Sequence, residues 1–178
     1  WVTLNGSVYG SFYLDPLLDP NWGKQGVTSR PLVHEVFGSL RGQYAFDYRL
    51  TPLAQYVLGG LYTVRGFAQS ISAGDSAMVG TVEYRLHVPR LFPATEPSGS
   101  FPFLDRPFRW APDGTNGASP DWDLVASAFF DGGVIGNSDA FPFEVNTGML
   151  SAGIGLDLTI LEGVSIGVDW GWALNSVE

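Results

Sequence analysis

From residue 163 to 174 the side chains alternate without a break. Val164, Ile166, Val168, Trp170, Trp172 and Leu174 are apolar, whereas Gly163, Ser165, Gly167, Asp169, Gly171 and Ala173 are small or polar. Successive side chains of an extended chain point to opposite faces, so a period of two predicts a strand with one wholly apolar face. Residues 151–160 repeat the pattern, with Ala152, Ile154, Leu156, Leu158 and Ile160 opposing Ser151, Gly153, Gly155, Asp157 and Thr159. The short Leu161-Glu162-Gly163 link predicts a hairpin between the two.

Four further stretches carry the same period less cleanly: Val2–Leu14, His34–Tyr48, Met78–Val88 and Trp122–Val134. In the last, Trp122, Leu124, Ala126, Ala128 and Phe130 face away from Asp123, Val125, Ser127, Phe129 and Asp131. No helical periodicity of useful length competes with these six segments, which predicts an all-β chain. Two architectures fit alternation. A soluble sandwich buries one face of each sheet and wets the other, and a transmembrane barrel turns its apolar face to lipid. The stretches run about 10 to 14 residues, longer than the usual soluble strand and near the length that crosses a bilayer at a tilt. Their second face carries Gly, Ser and Ala where a soluble strand carries many Lys, Glu and Thr, which favours the barrel.

Composition narrows the function classes. The chain has 178 residues, 45% hydrophobic and only 15% charged, with a net charge of −9. That charge argues against a nucleic-acid partner, because phosphate binding needs clustered Lys and Arg. With no cysteine, disulfide scaffolds and cysteine-held metals are excluded. No apolar run is long enough for a membrane-spanning helix. The two histidines, His34 and His87, fall on predicted strands, and neither a nucleophile-elbow G-x-S-x-G nor a phosphate-binding loop occurs. No enzyme, cofactor or metal site is therefore expected. Asp19-Pro20-Asn21-Trp22-Gly23 and Asp113-Gly114-Thr115-Asn116-Gly117 read as turns. Trp1 opens directly into a patterned segment, and Asn175–Glu178 stand where another strand is expected, so the chain reads as an internal piece of a longer protein.

The stretch from Leu50-Thr51-Pro52 through Leu58-Gly59-Gly60 to Val64-Arg65-Gly66-Phe67 resembles the segment leading into the sixth extracellular loop of a known family. That family is the outer-membrane superfamily of protein-assembly factors and two-partner-secretion transporters. Its second hallmark, F-x-D-x-G on a later strand, is similar to Phe129-Phe130-Asp131-Gly132-Gly133, and Gly74-Asp75 and Glu83-Tyr84-Arg85 match the run between the two. The similarity extends from about Val33 to Leu174. It implies the C-terminal part of a sixteen-stranded antiparallel barrel in the bacterial outer membrane, with about six strands present. It also implies a loop at 59–76 folded into the lumen and POTRA domains upstream on the periplasmic side. The implied task is to move or insert unfolded polypeptide. The residues around Thr63–Phe67 lean toward two-partner secretion, as in hemolysin secretion/activation proteins, over general barrel assembly.

An arginine does not lose its charge when desolvated, so a lumen-folded loop requires an anion for Arg65. Asp131 shares its strand phase with Asp123 and Ser127, and faces the lumen if the apolar side meets lipid. A guanidinium fork on that carboxylate would latch the loop to the wall. Val64, Gly66 and Phe67 complete the loop motif, and Phe129 and Gly133 the strand motif. The plainer alternative is a solvated loop arginine and a strand-end aspartate. Glu83 and Arg85, with Arg41, Glu35 and Asp47, are expected to form a lumen charge network; the alternative is the wet face of a sandwich. Residues 91–121 form a proline-rich insertion at the end opposite the loop, where Phe101, Phe103, Phe108 and Trp110 suggest packing. The expected partners are an unfolded polypeptide client and the lipid bilayer. The competing functions are a passive or anchoring barrel of a surface-enzyme fusion and a soluble β-sandwich binding module.

Overall fold

A computed structural model describes residues 2–22, 32–91, 101–103, 106–108, 122–139, 141, 146–160 and 163–177. The strands are β1 (Leu4–Tyr13), β2 (His34–Tyr44), β3 (Tyr56–Leu58), β4 (Ser72–Gly74), β5 (Ser76–His87), β6 (Phe101–Phe103), β7 (Arg106–Phe108), β8 (Trp122–Gly136), β9 (Thr147–Ile160) and β10 (Val164–Ala173). One helical turn, α1 (Asp15–Leu18), and a 3-10 turn at Val88–Leu91 complete the elements.

The chain is all-β, and the six predicted segments form one antiparallel sheet in the order β1-β2-β5-β8-β9-β10. The sheet is open. Among the described residues β1 and β10 each pair on one side only. All five ladders hold the same phase. One row of cross-strand partners runs Gly10, Gly38, Val82, Phe130, Ala152, Trp172, and the next runs Ser11, Phe37, Glu83, Phe129, Gly153, Gly171. The apolar set of every strand thus falls on one face of the sheet and the polar set on the other.

The burial of these two faces is the reverse of a water-soluble sheet. On the apolar face Val8, Val82, Phe130, Ile154, Leu156, Ile166, Val168 and Trp170 are all exposed, from 47% to 73%. No second layer covers them among the described residues. The buried cluster lies on the polar face instead, where Leu58 and Val64 from the β2–β5 connection pack on Ala77, Val79, Ile135 and Met149.

Several boundaries differ from expectation. The His34–Tyr48 strand stops at Tyr44, because Phe46 and Asp47 adopt left-handed backbone conformations (φ 50° and 62°) and the Tyr48 N–H closes a turn on the Ala45 carbonyl. Asp47 therefore sits exposed in a turn and not on the polar face of the strand. The expected 59–76 loop is the outer part of a connection that runs from 45 to 75 and carries the β3–β4 ribbon; Ser76 already belongs to β5. The β8 and β9 strands are longer than their alternation showed, reaching Gly136 and starting at Thr147. The proline-rich segment leaves from the far end of β5 as expected. Of its 91–121 span only Leu91 and the paired strands β6 and β7 are described, so the packing of Phe101, Phe103, Phe108 and Trp110 lies outside the described residues. The Leu161-Glu162 part of the last hairpin turn also lies outside them, while Ile160 and Val164 pair as that hairpin requires.

Candidate functional site

The site is where the 45–75 connection folds back over the polar face. Gly59 and Gly60 follow β3 with φ of 99° and 95°, a region open to glycine but strained for other residues. They turn the chain so that the Gly60 N–H meets the Val64 carbonyl at 3.2 Å and Val64 enters the buried cluster. Arg65 follows, and its backbone N–H and Nε both donate to Asp131 Oδ2 (3.1 and 2.8 Å) while Nη2 donates to Asp131 Oδ1 (3.0 Å). This is a fork on both oxygens of a carboxylate that is fully buried. The Nη2 atom also reaches Glu83 Oε2 at 3.1 Å, and Nη1 reaches Asp169 Oδ1 at 3.5 Å.

Beneath the guanidinium lies the Phe129 ring, with its centroid 3.4 Å from Cζ, so the cation rests on a π face as well as between carboxylates. Burial works against the charged guanidinium, but the hydrogen bonds and charge of Asp131, then those of Glu83, outweigh it. The pKa of Arg65 accordingly lies above its ordinary value.

Small residues create the seat for this loop. A methyl group on Gly171 would lie 2.7 Å from the Gly66 nitrogen, and one on Gly66, itself at φ 92°, would lie 2.9 Å from the Gly171 carbonyl carbon. The loop and β10 thus touch backbone to backbone. Gly133 leaves room for the side chains of Val64 and Leu58, and a methyl on Gly153 would lie 2.3 Å from Phe129 Cζ. Phe67 packs against the buried cluster, half-buried. The loop tip thus meets Glu83, Phe129 and Gly171, three members of one cross-strand row whose fourth, Gly153, makes room for the Phe129 ring.

A chain of alternating basic and acidic side chains continues from Arg65 toward the opposite end. Glu83 Oε1 accepts from Arg85 Nε at 2.7 Å, and Arg85 lies over Phe37 and 3.9 Å from Glu35. Glu35 meets His87 Nε2 at 3.2 Å, His87 Nδ1 meets Asp123 at 2.8 Å, and Arg90 reaches the same Asp123 oxygen at 3.5 Å. Arg41 does not join Glu83. It pairs with Val79 on the ladder, four residues along β2 from Phe37, the partner of Glu83, a separation of roughly 13 Å at 3.3 Å per residue. Its guanidinium donates to the Tyr62 carbonyl, so it holds the loop and not the network.

Comparison with family models, curated proteins and solved structures returned no match.

Sequence reasoning placed Arg65, Asp131, Glu83 and Arg85, and the structure brings all four together. It passed over Asp75, noted only for the Gly74-Asp75 match. Asp75 is fully buried, and its Oδ1 accepts from the Leu50 N–H (2.9 Å) and Gln55 Nε2 (3.1 Å), its Oδ2 from the Ser138 N–H (2.8 Å). An aspartate in a Gly- and Ser-rich stretch of so apolar a chain was the available signal. The role of Asp169 was hidden, since its alternation showed only a face. Chemically the assembly holds and orients a loop; an arginine bound by three carboxylates neither gives nor takes a proton.

Proposed function

We propose that this chain is the C-terminal part of an outer-membrane β-barrel that moves or inserts unfolded polypeptide at the bacterial outer membrane, with two-partner secretion of a hemolysin- or adhesin-like client favoured. The observation that carries it is the seating of Arg65 on Asp131 within the polar face, while no described residue covers the apolar face of the six strands. A soluble protein rarely leaves so broad an apolar surface in water. Lipid is the medium in which that surface is stable. Backbone edges cannot be left open in lipid, so β1 and β10 are completed by further strands, and the sheet becomes the wall of a barrel with the loop inside it.

On this reading the polar face lines a lumen and the 45–75 connection narrows it. The latch at Arg65 and Asp131 sets whether the lumen is obstructed, and its rearrangement accompanies passage of the client, driven by no bound nucleotide. Upstream POTRA domains would deliver the client from the periplasm. The test uses the full-length protein in its native membrane. Asp131→Asn and Arg65→Ala are expected to leave a protein that fractionates with the outer membrane and shows heat-modifiable mobility, while secretion of its client into the medium falls at least tenfold. Normal secretion by both variants would overturn the transporter. A full-length protein that stays monomeric in plain buffer without detergent would overturn the barrel, and with it the passive anchor.

A further inference from the structure

The 45–75 connection is attached at two places by different chemistry. At its tip, Arg65 and Gly66 meet Asp131, Glu83 and Gly171. At its base, the Asp75 carboxylate gathers the backbone of Leu50, the side chain of Gln55 and the backbone of Ser138 beyond β8. Its own N–H donates to the Gly136 carbonyl at 3.0 Å. Gln43 on β2 adds a clamp, donating through Nε2 to the carbonyls of Ala54 (3.0 Å) and Asp75 (3.1 Å). The Ala45 N–H, where the chain leaves β2, donates to Ser76 Oγ at 3.0 Å. Gly74 presses on the β8 end, where a methyl group would lie 2.9 Å from the Gly136 carbonyl oxygen.

We propose that Asp75 is a positioning residue that fixes residues 45–58 and 72–75 as a stem on the rim of β2, β5 and β8, so that release of Arg65 frees only the tip, residues 59–71. The boundary falls at Gly59 and Gly60, whose positive φ values put the bend in the chain where the β3–β4 ribbon ends. A carboxylate that accepts three hydrogen bonds, two from the 45–58 stretch and one from Ser138 beyond β8, holds those two segments to its own wherever the tip lies, because none of its partners belongs to the tip. Only the supposition that the tip moves in use rests on the transport function proposed above. The division itself is a property of the fold.

Hydrogen–deuterium exchange on the full-length protein in detergent micelles tests it, following peptides from 46–58, 61–70 and 72–79 and from β9 and β10. In Arg65→Ala, exchange over 61–70 is expected to rise at least tenfold, with 46–58 and 72–79 within twofold of the parent. In Asp75→Asn, an N–H₂ donor is set against a neighbouring N–H, and exchange over 46–58 is expected to rise at least tenfold while β9 and β10 stay within twofold. Ser138→Pro removes one donor without touching Asp75 and is expected to loosen 72–79 in the same direction by about threefold. Loss of protection in β9 and β10 along with the stem would reduce Asp75 to a general stabiliser and overturn the proposal. So would a rise over 46–58 in Arg65→Ala, or an unchanged stem in both Asp75→Asn and Ser138→Pro. None of these measurements reads secretion, so a negative result leaves the transporter standing, and loss of the transporter leaves the stem.

Discussion

Arg65 touches three carboxylates that are not equivalent. Asp131 is fully buried and takes the guanidinium in a fork, Glu83 is nearly buried and takes one contact, and Asp169 is partly exposed at 3.5 Å. Removing one member of a buried, hydrogen-bonded pair leaves the other uncompensated, at a cost of about 3–5 kcal/mol. Arg65→Ala and Asp131→Ala are each expected to lose that much, read by denaturant unfolding of the full-length protein in detergent through tryptophan fluorescence. Asp169→Asn is expected to change stability by less than about 1 kcal/mol, as for an exposed ion pair. Arg65→Lys keeps the charge but forfeits the fork and the flat contact with Phe129, and its expected loss is about 1.5–3 kcal/mol. Equal losses for Asp131→Ala and Asp169→Asn would show that the fork contributes nothing special. An exchange of Arg65 and Asp131 is not expected to restore the parent, since an aspartate at 65 would face Glu83 and Asp169.

At the level of the elements, glycine does the docking. Gly171→Ala is expected to displace the tip, because the new methyl would meet the backbone at Gly66. Overpacking of this kind costs about 1–3 kcal/mol. Exchange over 61–70 should quicken while the β9–β10 hairpin stays protected; an undisturbed tip would mean that the close approach is not needed. How much of this was legible in the sequence follows from what is local and what is not. Alternation is a property of neighbours along the chain, so the six long strands and their two faces were readable, down to the place of Asp131 on the polar face. Pairing register is not local. That Glu83 and Phe129 lie side by side under Arg65, or that Gly153 clears space for the Phe129 ring and Gly171 for the loop, depends on how strands align, and the glycines read only as a small-residue face. Asp47 was misplaced for a related reason. Phe46 and Tyr48 continued the alternation past Tyr44, although the backbone had already turned through left-handed conformations that Asp tolerates better than most residues. Asp75 lies outside any periodic run, and its one signal, an acid in a Gly- and Ser-rich stretch, does not tell that the carboxylate is buried.

For the molecule as a whole, the decisive quantity is what lies against the bare face. Leu156 pairs with Ala126 and Val168 well away from the strand ends, whereas Thr159 points to the polar side. If lipid covers that face, Leu156→Arg is expected to cost about 2–4 kcal/mol of folding free energy in a bilayer, as for arginine near the midplane, and Thr159→Arg about 1 kcal/mol or less. Reversible unfolding of the full-length protein in lipid vesicles measures both, and a neutral Leu156→Arg would remove lipid from that face. The shared phase of the five ladders has an effect of its own. Because neighbours alternate across the plane, dropping one residue from the middle of β5 would send Glu83 and Arg85 to the apolar face and bring Val82 and Tyr84 to the polar one beyond the break. Lengths here can change only by pairs, unless a bulge absorbs the odd residue. A lineage of such chains should therefore vary freely in its connections and keep the parity of every long strand.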